Sequence, residues 1–209
     1  MTVKEKLKGK FIVLDGPDGC GKSTQCKLLA EWLSEKSIEV ETYRDPGTTR
    51  VGEEIRQILL NPDNTAITTA VEVMLYMAAR AQLLAEKILP ALKNNKCVIL
   101  DRWLSSTCAY QGFAGSFGMD RIIAIANNSL ELTWPDLTII LDVNLETAAP
   151  RLNATLDRME QKGTEYHNKV RQGFFELAKN RKDVIVVDAA DDIESVHRQV
   201  IEHVEKVFL

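Results

Sequence analysis

Short runs of apolar residues recur along this chain and alternate with segments of helical periodicity. Apart from some alternation around Val40, the runs do not switch between apolar and polar residues as a strand with one solvent-exposed face does. Continuous apolar runs of this length are typical of parallel strands that are buried on both faces. The five predicted strands are residues 10–14, 38–43, 97–100, 136–142 and 184–188.

The segments between these strands carry apolar side chains at helical spacing. The predicted helices are residues 22–36, 51–60, 68–93, 119–130, 146–152, 165–179 and 192–208, with a mixture of helix and loop at 103–118. On the longest of them, the side chains expected to face the core are Val71, Leu75, Ala78, Ala79, Leu83 and Ile88. Strands that alternate with helices predict an α/β fold, here three layers (α/β/α) around a five-stranded parallel sheet.

Composition narrows the class of protein. The chain has 209 residues, 45% hydrophobic and 27% charged, which predicts one globular domain spanning residues 1–209. A formal net charge of −4 argues against a general nucleic-acid binder. No apolar run approaches a membrane span in length, and the polar N-terminal segment is unlike a secretory signal. Four cysteines without metal-ligand spacing predict reduced thiols in a cytoplasmic protein.

The clearest motif lies between the first predicted strand and the helix that follows it. Glycines there would let successive backbone N–H groups point inward, Lys22 can reach the β- and γ-phosphates of a nucleotide, and Ser23 can bind Mg²⁺. An incidental lysine in a glycine-rich turn is the alternative, and the strand–loop–helix context argues against it. The motif has the G-x-x-x-x-G-K-[ST] spacing of a phosphate-binding loop, and with the residue after it reads Gly16, Pro17, Asp18, Gly19, Cys20, Gly21, Lys22, Ser23 and Thr24.

Right-handed crossovers bring the carboxyl ends of all parallel strands to one edge of the sheet, where a ligand crevice is expected. Asp101 at that edge can hold Mg²⁺ or a Mg²⁺-bound water, or it can cap the next helix, and the phosphate loop favours the magnesium role. Arg102 is equally consistent with a ligand-binding cation and with an exposed structural arginine. The strand ends carry Asp15, Arg44, Asp101, Arg102, Asp142 and Asp188.

Tyr76 and Arg80 lie four residues apart, hence on one face of the long predicted helix. An aromatic ring beside a guanidinium suits a flat base that stacks on the ring and accepts hydrogen bonds. A core tyrosine with an arginine that extends toward solvent is the alternative, and the two residues taken alone favour it.

Longer motifs, in order along almost the whole chain, resemble those of the thymidylate (dTMP) kinases, in particular their bacterial branch. The stretch 105–112 after Asp101 and Arg102 is far more specific than the phosphate loop. The matching segments besides that loop are residues 44–49 (RDPGTT), 72–76 (EVMLY), 78–80 (AAR), 82–83 (QL), 101–102 (DR), 105–112 (SSTCAYQG), 135–138 (PDLT), 141–143 (LDV), 156–160 (LDRME) and 187–189 (VDA).

The resemblance implies phosphoryl transfer from ATP to dTMP with Mg²⁺, which gives ADP and dTDP for dTTP synthesis. It implies that Asp18 lies at the sugar of the acceptor nucleotide and near the metal, and that the loop after Val187, which begins with Asp188, contacts adenine. The implied acceptor-binding residues are Arg44 and Arg102 for the phosphate, Tyr76, Arg80, Ser106 and Thr107 for thymine, and Tyr110 with Gln111 for the deoxyribose.

The resemblance also implies a mobile lid, at about residues 150–160, that closes to exclude water. The bacterial branch lacks an arginine in the phosphate loop and compensates with a cluster of lid arginines, but here the region has only Arg151 and Arg158. We expect Arg158, assisted by Arg151, to supply positive charge to the transition state. A solvated charge at a helix end is an equally good interpretation of Arg151. The expected catalytic set is then Lys22, Asp18, Arg102, Arg158 and Arg151.

Three other functions are alternatives for this sequence: a kinase for another nucleoside monophosphate, a P-loop GTPase switch, and a nucleotide-binding protein without catalysis. The N-K-x-D motif of the GTPases is absent. Intact Lys22, Ser23 and Asp101 argue against the non-catalytic protein. The family's members are homodimers packed through helices, which implies a homodimer here. The apolar side of helix 68–93 could belong to that interface or to the core.

Overall fold

The five apolar runs form one sheet. The structure, a computed structural model, describes residues 3–152 and 155–209. Its strands are β1 (Phe11–Asp15), β2 (Val40–Arg44), β3 (Cys97–Asp101), β4 (Leu137–Asp142) and β5 (Val184–Asp188). Their order across the sheet is β2-β3-β1-β4-β5, and every neighbouring pair is parallel. The predicted fold class is therefore confirmed.

Helices connect the strands and cover the sheet. Over the described residues, the chain forms two π-helical segments, at Leu84–Ile88 and Cys108–Ala114, and one 3-10 turn at Ala149–Arg151. The α-helices are α1 (Val3–Leu7), α2 (Lys22–Glu35), α3 (Arg50–Leu60), α4 (Thr69–Leu83), α5 (Leu89–Lys93), α6 (Leu104–Thr107), α7 (Met119–Ser129), α8 (Leu145–Ala148), α9 (Thr164–Lys179) and α10 (Ile193–Phe208).

Strand β1 lies at the centre of the sheet and shows why its sequence does not alternate. Ile12 and Leu14 pack into the core shared with α2 and α10, whereas Phe11 and Val13 pack into the core on the opposite face. Both faces are apolar because helices cover both, so every position of β1 is buried. This places Asp15, the last residue of the strand, at the edge where the sheet opens to the site.

The prediction of which side of helix 68–93 faces the core is wrong in part. Val71 is 47% exposed and Ala78 is also exposed, whereas Glu72 and Arg80 are almost fully buried. Most residues of α4 are apolar, so periodicity alone cannot select the face that packs inward. The two charged residues are buried because each is ion-paired with a residue distant in the sequence, which no local pattern reports.

The sequence predicted one continuous helix over residues 68–93, and this prediction is wrong. The π segment Leu84–Ile88 separates α4 from α5. Pro90 has no N–H to donate to the carbonyl of residue 86, and its ring crowds that carbonyl. A wider π turn accommodates this proline. Two smaller differences occur elsewhere: α1 was not predicted, and the predicted helix 146–152 is the short α8 followed by one 3-10 turn.

The second π segment, Cys108–Ala114, is held against α9 by close backbone contact. Gly173 of α9 lies where a Cβ atom would be 2.9 Å from Cβ of Phe113 and 3.0 Å from Cα of Ala109. Only glycine permits this approach without displacement of the segment. The contact fixes the position of Tyr110 and Gln111, which the π segment carries.

Two predicted global properties can be compared with the structure. All four cysteines are buried and free, as the sequence indicated. Within the described ranges, no helix is both long enough and apolar enough to cross a membrane.

Candidate active site

A cavity of about 350 Å³ opens at the carboxyl edge of the sheet, where the crossover rule predicted a crevice. Most of the residues selected from the sequence line it. They are Asp18, Gly19, Gly21, Lys22, Ser23, Thr24, Arg44, Tyr76, Arg80, Asp101, Arg102, Ser106, Thr107, Tyr110 and Gln111. The wall also contains residues to which the sequence analysis assigned no role, namely Asp45, Pro46, Arg56, Leu60, Asp157, Met159 and Glu160. Five of these lie within the matching segments 44–49 and 156–160, whereas Arg56 and Leu60 lie in neither.

The loop between β1 and α2 has the backbone of an anion site. Gly19 and Gly21 adopt φ of 76° and 92°, which side-chain-bearing residues rarely do. Gly21 is the N-cap of α2 and offers no side-chain cap, so the first N–H groups of the helix keep their positive ends for a ligand. Lys22 Nζ lies over the loop, 2.7 Å from the carbonyl oxygen of Pro17. Such a ring of donors suits a polyphosphate.

Three members of the loop motif are not part of the cavity wall. Gly16, Pro17 and Cys20 lie in the loop, and Lys22 Nζ is 3.2 Å from the Gly16 carbonyl oxygen and 3.4 Å from Cys20 Sγ. Burial raises the pKa of the Cys20 thiol, and Lys22 opposes that shift only partly. Cys20 is therefore a neutral packing residue at physiological pH.

Ser23 and Asp101 bring two oxygen ligands together from α2 and β3. Ser23 Oγ donates a hydrogen bond to Asp101 Oδ2 at 2.6 Å. Mg²⁺ in kinase sites is bound by one or two such protein oxygens together with substrate phosphates. In the part of the chain that the structure describes, no group of three or more His, Cys, Asp or Glu side chains could hold a metal by itself. The pair fits a metal that is shared with bound phosphates.

Asp15 joins the phosphate loop to the segment after β3. Its carboxylate is fully buried and accepts hydrogen bonds from the N–H groups of Gly16 (2.8 Å), Trp103 (3.3 Å) and Ser106 (2.8 Å). The hydroxyls of Ser105 and Ser106 donate to it at 2.5 Å and 2.6 Å. One carboxylate therefore sets the relative position of two loops that line the cavity.

Arg102 has φ of 69°, a left-handed conformation that costs energy in a residue with a side chain. Its guanidinium donates to Ser106 Oγ at 3.0 Å and forms an ion pair with Asp18. Tyr110 Oη also donates to Asp18, at 2.7 Å. Burial alone would raise the pKa of the Asp18 carboxyl, but Arg102 and Lys22 outweigh it, and the pKa lies below its ordinary value. Asp18 is thus a fixed negative charge beside the phosphate loop.

Besides Arg80, three arginines line the cavity: Arg44, Arg56 and Arg102. Arg44 is paired with Glu53 at 3.0 Å, and Arg56 donates to the Pro46 carbonyl at 3.1 Å. Burial, and then the charges of Arg44 and Arg102, lower the pKa of Arg56. Like charges held this closely are stabilised by an anion that hydrogen-bonds to them. This part of the cavity is therefore suited to a phosphate.

Arg56 lines the cavity, although the sequence analysis did not identify it as a site residue. It follows Ile55 on α3, whose apolar side chains Ile55 and Leu59 face the core. An arginine next to the buried face of a helix that follows a candidate binding loop was the available signal. Arg56 belongs to no motif that contains Lys22 or Asp101, so the motifs do not identify it.

Arg80 and Asp45 form an ion pair in which both side chains are only 1% exposed. Arg80 Nε and Nη2 lie 2.9 Å and 2.5 Å from Asp45 Oδ2, and Nη2 also donates to Thr107 Oγ1 at 3.1 Å. Burial raises the pKa of Asp45 while Arg80 opposes the shift, and Asp45 Oδ1 is buried without a hydrogen-bond partner. Tyr76 lines the same cavity. Arg80 does not extend to solvent, so the alternative favoured for it from sequence alone is wrong.

The lid arginines are not brought to the cavity. Arg158 Nη1 donates to Glu72 Oε1 at 2.6 Å, and its Nε donates to the Leu59 carbonyl at 2.7 Å. To reach a bound nucleotide, this guanidinium would have to leave Glu72. Within the predicted lid, residues 153 and 154 lie outside the described residues.

The end of β5 holds the remaining two predicted residues. Arg151 donates to the carbonyls of Ala189, at 3.1 Å, and Ala190, at 3.4 Å. Asp188 is exposed and accepts from the Ala190 N–H at 3.0 Å. Neither residue is part of the cavity wall described above.

Comparison with known proteins gives one consistent answer. A sequence model of the family described as "Thymidylate kinase" matches residues 14–200. The chain is 40% identical over 202 residues to a thymidylate kinase of Caldanaerobacter subterraneus subsp. tengcongensis, covering 96% of this chain and 97% of that one. It is 38% identical over 198 residues to a thymidylate kinase of Clostridium novyi, covering 92% and 97%. The crystal structure of thymidylate kinase from Ehrlichia chaffeensis is similar with a TM-score of 0.77 and 31% identity, over 95% of this chain and 99% of that chain.

Asp15→Asn tests the role of the buried carboxylate. We expect the free energy of unfolding to fall by about 2–4 kcal/mol, because an amide turns an NH₂ group toward donors that need an acceptor. Urea denaturation measures this, with Asp63→Asn in an exposed loop as the matched control. Equal stability of the two variants would contradict the assignment of Asp15 as the joint between the loops.

Proposed function

Because this chain belongs to the thymidylate kinase family, we propose that its cavity binds ATP and dTMP and transfers the terminal phosphoryl group of ATP to dTMP. The products are ADP and dTDP, a precursor of dTTP. One observation carries the proposal: a single cavity joins a phosphate loop, a cluster of arginines and the buried polar side chains of Arg80, Thr107 and Gln111. We also propose that the reaction takes place in the cytoplasm, which the free, buried cysteines support.

The phosphate loop is proposed to hold ATP. The N–H groups at the start of α2 and the ammonium of Lys22 would bind the β- and γ-phosphates. Ser23 and Asp101 would hold Mg²⁺, which would supply positive charge to neutralise the phosphates. Asp188 and the backbone after it would contact adenine at the open end of the site.

The rest of the cavity is proposed to hold dTMP. Arg44, Arg56 and Arg102 would bind its phosphate, which replaces Glu53 as a partner of Arg44. Tyr76 would stack on the thymine ring. Arg80, already oriented by its buried ion pair, would donate to a thymine carbonyl.

Remaining contacts belong to the sugar and the base edge. Tyr110 would pack under the deoxyribose, where its hydrogen bond to Asp18 restricts the ring. Thr107 would contact the base. Gln111, which the resemblance places beside Tyr110 at the deoxyribose, lines the cavity and would reach from there to the edge of the base. Ser106, whose hydroxyl already bonds to Asp15, would support the base site through its backbone and through Arg102.

Phosphoryl transfer then depends on the alignment of the two substrates and on neutralisation of their negative charge, since the reaction needs little covalent chemistry from the protein. No strong general base is required because the acceptor phosphate is already an anion. Arg102 and Lys22 would neutralise the charge that spreads over the transferred group, with Asp18 fixing the position of Arg102. A transition-state role for Arg158, with Arg151 assisting, remains a proposal that requires the Glu72 contact to open as a lid closes.

Formation of ADP from ATP across a panel of monophosphates tests the activity. With Mg²⁺ present we expect dTMP to react far faster than dCMP, AMP, GMP or UMP, and chelation of Mg²⁺ to stop the reaction. Lys22→Ala should lower kcat by about 100-fold or more, because a charge that stabilises the transition state is lost. Turnover of a different monophosphate in preference to dTMP would contradict the proposed acceptor.

Arg56→Gln tests the phosphate cluster. We expect KM for dTMP to rise by about 10-fold or more while KM for ATP stays the same, because one charge-assisted hydrogen bond to the acceptor is lost. Arg50→Gln is the matched control, since Arg50 lies on the same helix but is exposed and paired with Glu54. An unchanged KM for dTMP in Arg56→Gln would remove Arg56 from the acceptor site.

We further propose that the enzyme is a homodimer in which α3 and α4 form the interface. Val71 and Met74 of α4 are 47% and 51% exposed, and Ile58 of the neighbouring α3 is 45% exposed. Exposed apolar side chains on neighbouring helices are characteristic of an interface.

Val71→Asp should shift the dimer toward monomer, because burial of an unpaired carboxylate in an apolar contact is costly. Size-exclusion chromatography with light scattering measures the mass directly. Val207→Asp is the matched control, because Val207 is also 47% exposed but lies on α10. A monomer mass for the unmodified chain at micromolar concentration would contradict the dimer itself.

A further inference from the structure

Glu72 is a buried charge with partners on both of its oxygens. It lies in the first turn of α4, and its side chain is 2% exposed. Oε1 accepts from Arg158 Nη1 at 2.6 Å and from Lys162 Nζ at 3.3 Å. Oε2 accepts from Gln111 Nε2 at 2.9 Å. Glu72 therefore connects Arg158 of the lid, and Lys162 just after the lid, to a side chain of the cavity wall.

The contact with Glu72 determines which way the Gln111 amide faces. A carboxylate that already receives two cationic donors can only accept at its other oxygen, so Gln111 must turn its NH₂ group toward it. The carbonyl oxygen of Gln111 is then the group that the amide can offer to the cavity, which Gln111 lines. An isolated glutamine would fit the same space in either orientation, because its oxygen and nitrogen are nearly equal in size.

An inward-facing carbonyl has a definite consequence for base choice. Thymine and uracil carry an N3–H between two carbonyls, and this group donates to an oxygen. Cytosine has a bare N3 with a lone pair and an amino group at position 4. The carbonyl of Gln111 would accept a hydrogen bond from the N3–H of thymine or uracil and would repel the N3 lone pair of cytosine. Arg80 would donate to the carbonyl at position 4, where cytosine carries an amino group instead.

We propose that Glu72 is a positioning residue that fixes the Gln111 carbonyl toward the cavity, so that the site selects pyrimidines with an N3–H over cytosine. This inference rests on the proposed function. Arg158 and Lys162 take part through Glu72, since they occupy Oε1 and leave Oε2 for the amide. Base selection and the anchoring of Arg158 and Lys162 would then depend on the same carboxylate.

Glu72→Gln tests the proposal with almost no change in shape. Arg158 and Lys162 are donors and would keep the oxygen of the new amide, so its NH₂ group would face Gln111. Gln111 would turn over and present its own NH₂ group to the cavity. We expect the ratio of kcat/KM for dTMP to that for dCMP to fall by about 100-fold, the scale of discrimination carried by such base contacts. The ratio for dTMP and dUMP should stay constant because both carry N3–H.

Gln111→Met is the second test, because it removes the amide that Glu72 is proposed to orient and does not bury a new polar group. It should lower the dTMP to dCMP ratio by itself, and adding Glu72→Gln to it should produce no further change in that ratio. Glu165→Gln, at an exposed glutamate of α9, is the control and should match the unmodified enzyme. Thermal unfolding of each variant verifies that it is folded.

Three results would overturn the inference. The first is an equal loss of activity on dTMP and dCMP in Glu72→Gln, which assigns Glu72 a structural role only. The second is an unchanged ratio in Gln111→Met, and the third is a further change on adding Glu72→Gln to that variant. Failure of the unmodified enzyme to phosphorylate dTMP would instead contradict the proposed function, so the two failures are distinguishable.

Discussion

The buried carboxylate of Asp15 is the constraint on which the arrangement of the site depends. It ends the central strand and accepts hydrogen bonds from both the phosphate loop and the segment that follows β3. These two segments are separated by more than eighty residues of chain, as the contact between Asp15 and Ser106 shows. Because one carboxylate holds both, the donors of the phosphate loop and the guanidinium of Arg102 keep a fixed separation in the absence of ligand.

Buried charge recurs around the cavity and orients groups more than it stabilises the fold. Arg80 with Asp45, and Arg158 with Glu72, are both almost completely removed from water. Desolvation offsets much of the Coulomb attraction in such pairs, so their net contribution to stability is small. Their effect is geometric: a guanidinium or an amide that is already turned in one direction loses little freedom when the substrate binds.

The positive charge around the cavity is distributed differently from what the lid sequence indicated. Arg158 is held by Glu72 and by the Leu59 carbonyl, away from the cavity wall. Arg56, which no motif contains, lines the cavity together with Arg44 and Arg102. A lid with few arginines is thus compatible with phosphoryl transfer when α3 and the segment after β3 supply cations from fixed positions.

The sequence alone determined the parallel sheet, its five strands, the phosphate loop and the edge at which the ligand crevice opens. Each depends on local signals: continuous apolar runs, a glycine-rich loop and the handedness of crossovers. The tertiary structure decided which side of α4 is buried, because its charged residues are matched by partners at Asp45 and Arg158. It also decided that Arg56 reaches the cavity and that Glu72 orients Gln111. Periodicity reports only neighbours along the chain, whereas these contacts join segments that meet only when the sheet and its helices have packed.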